Sequence, residues 1–502
     1  MQIKVIVLNS VLHDARVIKE ANSLVKAGHD VTIIGLFDKR STTTDHILPS
    51  GVRIHLCRPL LDEATRTVTR HARWSVFAFI MLAAIWLLTK LSDFDALVLL
   101  NALIGKNTAP VIAILLASIL SALMIYRWRQ RSDFLGSLCR RLIRTFVAPI
   151  RKLHKSFRNA LRRFARPLYR RIRQQHLVRA SLCGGVDVIH CHDIWSLPSG
   201  AEVKRKTGVP LVWDAHEIYE EVAQGDHKHT RICRKLMRRH QRDIDYFITI
   251  NDSIADFYKE RYPALPAATI IKNATPYIPN VAYDDRLHGA AGLPLTQKIA
   301  LYQGGFAEKR GLRTLVRASK YLDPAWTLVM MGWGQLEDEL KQLASDASIN
   351  GTRNTPSVVF LKAAPQSELV YWTAGASVGL IPYENVGLNH LYCTPNKLWE
   401  YPAANVPILC SPLVEMAKTI QEFHTGWLLP ETTEPRLIAK AINELTPSVL
   451  DQAKNSCSKF IQQDNWAIYG ERLVNLYTRI ALSMPPTSST KKPDLLHHEM
   501  QD

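Results

Sequence analysis

Closely spaced cysteines are absent from this chain of 502 residues. Its eight cysteines are scattered, and none of them pair at the spacing that holds a metal ion. A disulfide framework is typical of small secreted proteins, whereas this chain is long enough to bury full hydrophobic cores without one. We interpret the cysteines as buried thiols of a protein from a reducing compartment. The length predicts two domains and an additional segment.

A dinucleotide-binding fingerprint is also missing. Residues 4–8 and 31–36 are apolar runs typical of strands, and residues 14–27 between them have helical spacing that ends at Gly28. Strand, helix and strand in this order open a parallel α/β sheet. No Gly-x-Gly-x-x-Gly follows the first strand, which argues against an ordinary NAD-dependent enzyme. The first apolar run is too short for a cleavable signal peptide, so we expect none.

Acidic residues are scarce in one long segment. The net charge is +18, and residues 127–179 carry 17 lysines and arginines against the single acidic residue Asp133. Bulky apolar residues recur there every three or four positions, which predicts a basic amphipathic helix over residues 127–181. Such a helix suits an anionic membrane surface. Nucleic acid is the competing partner, but no stacking platform or DNA-binding module is visible, so we expect no nucleic acid.

Two apolar segments precede this basic helix. Residues 74–91 and 110–126 each approach the roughly 20 residues needed to cross a bilayer, and Trp74 and Tyr126 lie at their ends. We predict a hydrophobic hairpin over residues 74–126, either spanning or re-entrant, with buried helices of a soluble insertion as the alternative. The positive-inside tendency predicts a protein of the inner membrane whose folded domains face the cytoplasm.

Polar residues cluster where two predicted strands end after the insertion. The first strand ends at His190 and His192, and the second leads into Asp214, His216 and Glu217. Open α/β sheets place their sites at the carboxyl ends of parallel strands. The two histidines of the first strand also suit a metal ion, but we favour hydrogen bonding or packing for that pair.

Glycine turns follow two later strands, at residues 299–302 and 327–331. Glycines between a strand and a helix let backbone N–H groups approach a phosphate. These turns contain Gly304, Gly305 and Arg310 after the first strand, and Gly332 and Gly334 after the second.

The most informative stretch ends at Glu400. Pro395 suits the first turn of a helix, which predicts a helix over residues 396–404. Free N–H groups at Asn396 together with Lys397 would hold an anion, and Glu400 one turn later would accept hydrogen bonds from sugar hydroxyls. This pattern predicts a site for a phosphorylated sugar, with a solvated Lys–Glu pair as the alternative.

This stretch resembles the donor-binding signature of the retaining glycosyltransferases of family four. The resemblance lies in Pro-Asn-Lys-Leu-Trp-Glu-Tyr at residues 395–401, then Ala403, Ala404 and Pro407, and it covers residues 1–57 and about 186–477. It implies the GT-B fold, in which two Rossmann-like domains face each other across a cleft. The resemblance also implies that a sugar is transferred from a nucleoside-diphosphate sugar and keeps its anomeric configuration. It implies that the reaction needs no metal or other cofactor.

The resemblance also implies roles for individual residues. His216 would lie beside the transferred sugar with Asp214 and Glu217 flanking it, and these three are the expected catalytic residues. Glu400 would grip the ribose of the donor. Tyr392, which stands where the family has a Glu, would face the sugar.

The remaining donor-binding residues would stabilise the diphosphate or shape its site. Gly305 stands where the family has an Arg, Arg310 replaces a Lys, and Asn405 replaces a Gly. The expected members are Gly304, Gly305, Arg310, Gly332, Gly334, Asn396 and Lys397.

We accordingly predict an α/β protein of two Rossmann-like domains with a membrane-associated insertion on the acceptor side. This placement predicts a lipid-linked or saccharide acceptor in envelope or exopolysaccharide biosynthesis. A sugar-nucleotide epimerase or hydrolase of a related fold, and a non-catalytic membrane scaffold, are the alternatives. The predicted parts are an N-terminal domain (1–58 and 182–280), the insertion (59–181), a linker (281–298), a C-terminal nucleotide-sugar domain (299–450), closing helices (451–484) and a disordered tail (485–502).

Overall fold

The structure is a computed structural model that describes residues 1–12, 14–38, 41–58, 169–223, 225–346, 355–431 and 434–484. The chain divides into two compact units, one formed by Met1–Cys57 with Leu177–Asp502 and the other by Arg58–His176. The predicted hydrophobic hairpin, most of the predicted basic helix and the predicted disordered tail lie outside the described residues. Of the helices that the structure does describe, none has the length and apolar character required to cross a membrane.

A parallel sheet built on the N-terminal part of the chain carries the first half of the site. Its strands within the described residues are β1 (Gln2–Ile6), β2 (Asp30–Leu36), β3 (Asp45–Ile47), β4 (Arg53–Cys57), β5 (Val188–His192), β6 (Leu211–Ala215), β7 (Tyr246–Thr249) and β8 (Ala268–Ile270). Their order is β3-β4-β2-β1-β5-β6-β7-β8, and every pair is parallel except β3 with β4. The strands β5 and β6 are buried along their whole length, as a parallel sheet covered on both faces requires.

A second parallel sheet carries the other half of the site. Its strands among the described residues are β9 (Lys298–Gly305), β10 (Trp326–Trp333), β11 (Val358–Leu361), β12 (Val378–Ile381), β13 (Ile408–Cys410) and β14 (Gly426–Leu428), in the order β11-β10-β9-β12-β13-β14. All of its neighbouring strands run parallel. The two sheets confirm the predicted α/β architecture of two Rossmann-like domains.

Helices connect and cover the strands. They are α1 (Ala15–Lys26), α2 (Asp193–Thr207), α3 (His227–His240), α4 (Asp252–Arg261), α5 (Arg286–Ala291), α6 (Leu312–Ala318), α7 (Glu337–Ala344), α8 (Leu369–Thr373), α9 (Leu388–Leu391), α10 (Lys397–Ala403), α11 (Val414–Phe423), α12 (Pro435–Asn443), α13 (Pro447–Gln463) and α14 (Trp466–Ser483). Residues 169–182 are also helical. Asp14 caps α1 by accepting a hydrogen bond from the Val17 amide, which satisfies one of the free N–H groups at the helix start.

Each sheet has one point at which the strand order reverses. In the first sheet this point lies between β1 and β5, and in the second it lies between β9 and β12. A crevice opens outside the carboxyl ends of the strands at such a point, and ligands of open α/β sheets bind there. The loops after these strands therefore form the walls of the site.

The last helix packs back on the first sheet. Its buried residues recur at a spacing of three and four, so one face is apolar. The indole Nε1 of Trp466 donates to Ser23 Oγ on α1 at 3.1 Å, and a Cβ at Gly470 would lie only 3.0 Å from the same oxygen. The absence of a side chain at Gly470 therefore lets α14 approach α1 closely.

Several local predictions differ from the structure. The sequence does not predict the short strand β3, because its three residues, Asp45, His46 and Ile47, form no buried apolar run and both end residues are exposed. The predicted linker over residues 281–298 contains helix α5, which buries Leu287 and His288. Leu177 and Val178 are buried in the core, so the first domain resumes earlier than residue 182. Cys183 is exposed rather than buried.

Candidate active site

A cavity of about 430 Å³ lies between residues from the carboxyl ends of the two sheets. This volume is within the range of small-molecule sites, roughly 300–1,000 Å³. His216 lines it from the end of β6, and Asn396 lines it from the start of α10. The other lining residues are Asn9, Ser10, Val11, Asp14, Ala15, Arg16, Asn273 and Gln366. The cavity thus brings together one predicted site residue from each of the two domains.

A buried ion pair supports His216 from below. Arg16 on α1 binds Asp214 at the end of β6, with Nε and Nη2 at 3.0–3.1 Å from the carboxylate oxygens. The Asp214 side chain has no exposed surface, and its Oδ2 lies 3.0 Å from His216 Nε2. The structure therefore places Asp214 beneath His216, where it orients the imidazole, rather than on the cavity wall beside the sugar.

This arrangement sets the charge of both groups. Burial alone would raise the pKa of Asp214, but Arg16 and His216 hold it well below its usual range. Burial opposes protonation of His216, yet the carboxylate of Asp214 raises its pKa to about 9. At neutral pH the imidazole is therefore a cation that donates from Nε2 to Asp214. Its second N–H, at Nδ1, lies 3.8 Å from Asp193 Oδ1, a distance too long for a hydrogen bond.

The backbone around His216 is fixed by Tyr219. The amide of His216 donates to Tyr219 Oη at 3.1 Å, and that hydroxyl donates to Asp193 at the start of α2. Glu217 is exposed, and its carbonyl accepts a hydrogen bond from Tyr258 Oη at 2.9 Å. The predicted catalytic residues thus occupy three different environments: Asp214 buried, His216 on the wall and Glu217 on the surface.

Two cationic side chains of the second domain lie close to the same aromatic ring. Lys397 is buried on α10, and its Nζ donates to Tyr383 Oη at 3.3 Å. The guanidinium of Arg310 lies 5.2 Å from the centre of the Tyr383 ring. Burial, together with repulsion by Arg310, lowers the pKa of Lys397. Two cations held close together in a buried setting form a site for a polyanion such as a diphosphate.

Glu400 lies one turn beyond Lys397 and is held by a neighbouring amide. Gln303 near the end of β9 donates from Nε2 to Glu400 Oε2 at 3.0 Å. The other amide atom, Gln303 Oε1, accepts a hydrogen bond from Thr373 Oγ1 at 2.7 Å. Thr373 therefore sets the orientation of the amide, and the amide sets the orientation of the carboxylate.

The glycine turns bring backbone close to the two cations. Gly304 has a φ of 116°, and a Cβ there would lie 3.0 Å from Lys397 Nζ. A Cβ at Gly332 would lie 1.9 Å from the Gly304 carbonyl oxygen, and one at Gly334 would lie 2.3 Å from that of Phe306. Side chains are therefore excluded at these three positions. At Gly305 the nearest atom would be 3.9 Å away, so packing does not require glycine there.

Tyr392 and Asn396 take part in contacts between the two domains. The Tyr392 carbonyl accepts from Asn251 Nδ2 at 2.8 Å, and its side chain packs against the apolar cluster of the first sheet. Asn396 Oδ1 accepts from Asn273 Nδ2 at 2.5 Å. The loop before α10 therefore joins the second domain to the first.

Four functional residues were missed by reasoning from the sequence. Arg16 lies in the predicted helix over residues 14–27, whose spacing indicates no partner for it. Gln303 and Tyr383 lie at or just after the ends of strands β9 and β12, which is a signal that the sequence offers, whereas Thr373 ends helix α8 and carries no such signal.

Similarity to solved structures agrees with this fold. A sucrose-phosphate synthase from Thermosynechococcus elongatus superposes with a TM-score of 0.62 at 13% identity, over 96% of this chain and 100% of that one. The Anabaena protein HepE, solved with UDP and glucose, has a TM-score of 0.56 at 11% identity, over 95% and 100% of the two chains. The architecture is thus the two-domain GT-B fold of glycosyltransferases.

Sequence comparison identifies the family. Residues 297–447 match the family model of the group 1 glycosyl transferases, and residues 125–275 match that of glycosyltransferase family 4. These two matches, together with the GT-B fold, support a glycosyltransferase of family 4, group 1. The D-inositol 3-phosphate glycosyltransferase of Nocardioides sp. strain JS614 is 24% identical over 283 residues, which are 52% of this chain. The match spans 60% of the length of that relative.

Proposed function

We propose that this protein transfers a sugar from a nucleoside-diphosphate sugar to an acceptor and keeps the anomeric configuration of the donor. The observation that carries the proposal is the group formed by Lys397, Arg310 and Glu400 in the second domain, next to Asn396, which lines the same cavity as His216. Lys397 and Arg310 supply two positive charges for a diphosphate, and Glu400 supplies a fixed carboxylate for ribose hydroxyls.

The same group accounts for the chemistry. As the glycosidic bond breaks, negative charge develops on the leaving diphosphate, and the preorganised cations stabilise it more than they stabilise the bound donor. Burial strengthens this effect because fewer water molecules screen the charges. His216, held protonated by Asp214, donates its free N–H to an oxygen of the sugar. No metal is required for these steps.

The acceptor in this proposal is a lipid-linked saccharide at the cytoplasmic face of the inner membrane. The support is the charge of residues 127–179 and the apolar segments before them, which suit an anionic lipid surface. Envelope or exopolysaccharide synthesis uses acceptors of this kind.

A transfer assay tests the reaction. Purified full-length protein is incubated with each of several nucleoside-diphosphate sugars, with and without membrane lipid extract, and the products are analysed by NMR. We expect donor turnover only with the extract, and a product with the donor's anomeric configuration. Donor conversion without the extract would instead indicate the epimerase or hydrolase alternative, and an inverted product would contradict retention.

A vesicle assay tests the membrane contact separately. A variant with every Arg and Lys of residues 140–163 replaced by Gln is compared with wild type for sedimentation with anionic and with neutral phospholipid vesicles. We expect wild type to sediment with anionic vesicles and the variant to remain in solution, while both bind the nucleotide sugar equally. Equal sedimentation of the two proteins would contradict this contact.

A further inference from the structure

A second cluster of polar side chains lies in the interior of the first domain, apart from the cavity. Glu20 of α1 points between His190 and His192 of β5, and all three side chains are at most 2% exposed. Glu20 Oε2 lies 3.9 Å from His190 Nε2 and 3.7 Å from His192 Nε2. The two imidazole rings are stacked with their centres 4.5 Å apart, so both Nε2 atoms face the same carboxylate.

These facing atoms have no hydrogen-bond partner among the residues that the structure describes. Glu20 Oε2, His190 Nε2 and His192 Nε2 are all unpaired there, although each is buried. Such unpaired polar atoms are rare in protein interiors and call for an explanation. Distances of 3.7–3.9 Å are too long for a direct hydrogen bond. They suit two ligands of one ion, because each ligand atom of a metal such as zinc lies about 2.0–2.2 Å from it.

The far side of each imidazole is arranged as in a metal site. His190 Nδ1 lies 2.9 Å from Tyr477 Oη on α14, and His192 Nδ1 lies 3.4 Å from Asp214 Oδ2 and 3.2 Å from His216 Nε2. If these Nδ1 atoms carry the protons, both Nε2 lone pairs are free for a metal. Metal-binding histidines almost always donate their other N–H to a carboxylate or another oxygen in this way.

We propose that Glu20, His190 and His192 bind one divalent transition-metal ion, and that Zn²⁺ is the ion that fits best. Two imidazoles and a carboxylate are a ligand set of zinc, and also of Mn²⁺ and Fe²⁺. A carboxylate oxygen of Asp214 is the fourth candidate ligand, since the four ligand atoms lie within 4.8 Å of one another. Arg16 Nε lies 2.9 Å from the other oxygen of Glu20, so that oxygen is already neutralised and Oε2 remains for the metal.

The position of this site indicates a structural role. The ion would join α1 to β5, and through Tyr477 it would fix the closing helix α14 against the first sheet. The site does not depend on the proposed reaction, because its three proposed ligands, Glu20, His190 and His192, neither belong to the donor group nor line the cavity. The site can therefore exist whether or not sugar transfer occurs.

Metal content tests the proposal directly. The full-length protein, carrying no histidine tag, is purified without chelator, and its transition metals are measured by mass spectrometry. We expect about one ion per chain, dominated by zinc. Removal with a chelator should lower the melting temperature, and readdition of Zn²⁺ should restore it, because a ligand of the native state stabilises that state.

Variants distinguish the residues that bind the ion from the residue that orients one of these ligands. Glu20→Gln and His192→Gln should lose the ion, and Tyr477→Phe should weaken zinc affinity about 10- to 100-fold. His55→Gln, which removes an imidazole from an exposed His–Asp pair, should keep the full metal content. If the ligand variants do not fold, chelated wild type is reloaded with Co²⁺ and should show the visible absorption of a bound ion. Wild type without metal and without that absorption would overturn the proposal, as would Glu20→Gln with full metal content.

Discussion

Arg16 and Asp214 form a buried bidentate ion pair, although 198 positions separate them in the chain. The pair joins α1 to the end of β6, and Asp214 uses the same carboxylate to hold His216. Neither charge is exposed, and buried Glu20 beside Arg16 and His216 beside Asp214 extend the pair into a small charged network. One helix and one strand end are therefore fixed together directly beneath the cavity.

Replacing Asp214 with Asn should destabilise the protein strongly. The substitution removes the carboxylate that pairs with both Arg16 and His216 and leaves only Glu20 beside the buried guanidinium, and breaking a buried pair in this way costs about 3–5 kcal/mol. Chemical denaturation of the variant and of wild type measures the difference. Asp45→Asn, in the exposed pair with His55, is the control and should change the unfolding free energy by less than about 1 kcal/mol. Equal effects at the two positions would contradict the role of the buried pair.

Donor binding should weaken as the pH rises above neutrality. The pKa of Lys397 is lowered by burial, so its ammonium loses its charge at a lower pH than an ordinary lysine. Below that pKa the cation attracts the diphosphate, and above it the attraction is lost. Calorimetric titration of the donor across this pH range should show declining affinity for wild type. Lys397→Arg should decline less, because a guanidinium stays charged. If the donor affinities of wild type and Lys397→Arg fall equally with pH, the charge of Lys397 does not hold the diphosphate.

Gln303→Leu should reduce donor affinity without unfolding the protein. The amide of Gln303 holds the Glu400 carboxylate, and a hydrogen bond to a charged group contributes about 1.5–3 kcal/mol. We therefore expect a loss of roughly 10- to 100-fold in nucleotide-sugar affinity by calorimetry. The free nucleoside diphosphate should show the loss as well, because the ribose is part of it. Unchanged affinity would indicate that Glu400 is positioned by other contacts.

Gly305→Arg should strengthen binding of the donor. The family has an arginine at this position, and a side chain meets no atom closer than 3.9 Å from its Cβ. A third cation beside Lys397 and Arg310 should raise the affinity for a nucleoside diphosphate about 10-fold, the size of one charged hydrogen bond. Gly305→Gln tests whether the gain needs the charge. A gain of the same size in both variants would argue against an electrostatic origin.

The part of the site that the sequence predicts is the part formed by neighbouring residues. Lys397 and Glu400 lie within one turn of a helix whose start is marked by Pro395, and the observed α10 begins at Lys397. The predicted glycine turns differ in part, because Gly304 and Gly305 are the last two residues of β9 and Gly332 lies within β10, whereas Gly334 directly follows β10. The α/β pattern likewise predicts the two sheets, because periodicity and turn residues are local signals.

Contacts between distant segments are not encoded in such local signals. In the sequence, Arg16 is a polar residue of an amphipathic helix, and only the fold brings Asp214 beside it. Asn273 and Asn396 meet across the cleft for the same reason. The sequence predicts a linker where helix α5 lies, because the six residues of this helix are too few to show a helical periodicity. The role of Asp214 differs from the prediction for the same reason. Its burial behind His216 results from the packing of the sheet, which no local pattern indicates.

The most direct test of the account is the thermal stability of the full-length protein with a panel of nucleoside-diphosphate sugars, measured beside Glu400→Ala. A ligand that binds only the native state raises the melting temperature by mass action. We expect one sugar nucleotide to stabilise wild type clearly and Glu400→Ala much less, with both proteins equally stable in its absence. If no sugar nucleotide shifts wild type, or if the variant responds as wild type does, the group of Lys397, Arg310 and Glu400 is not a donor site.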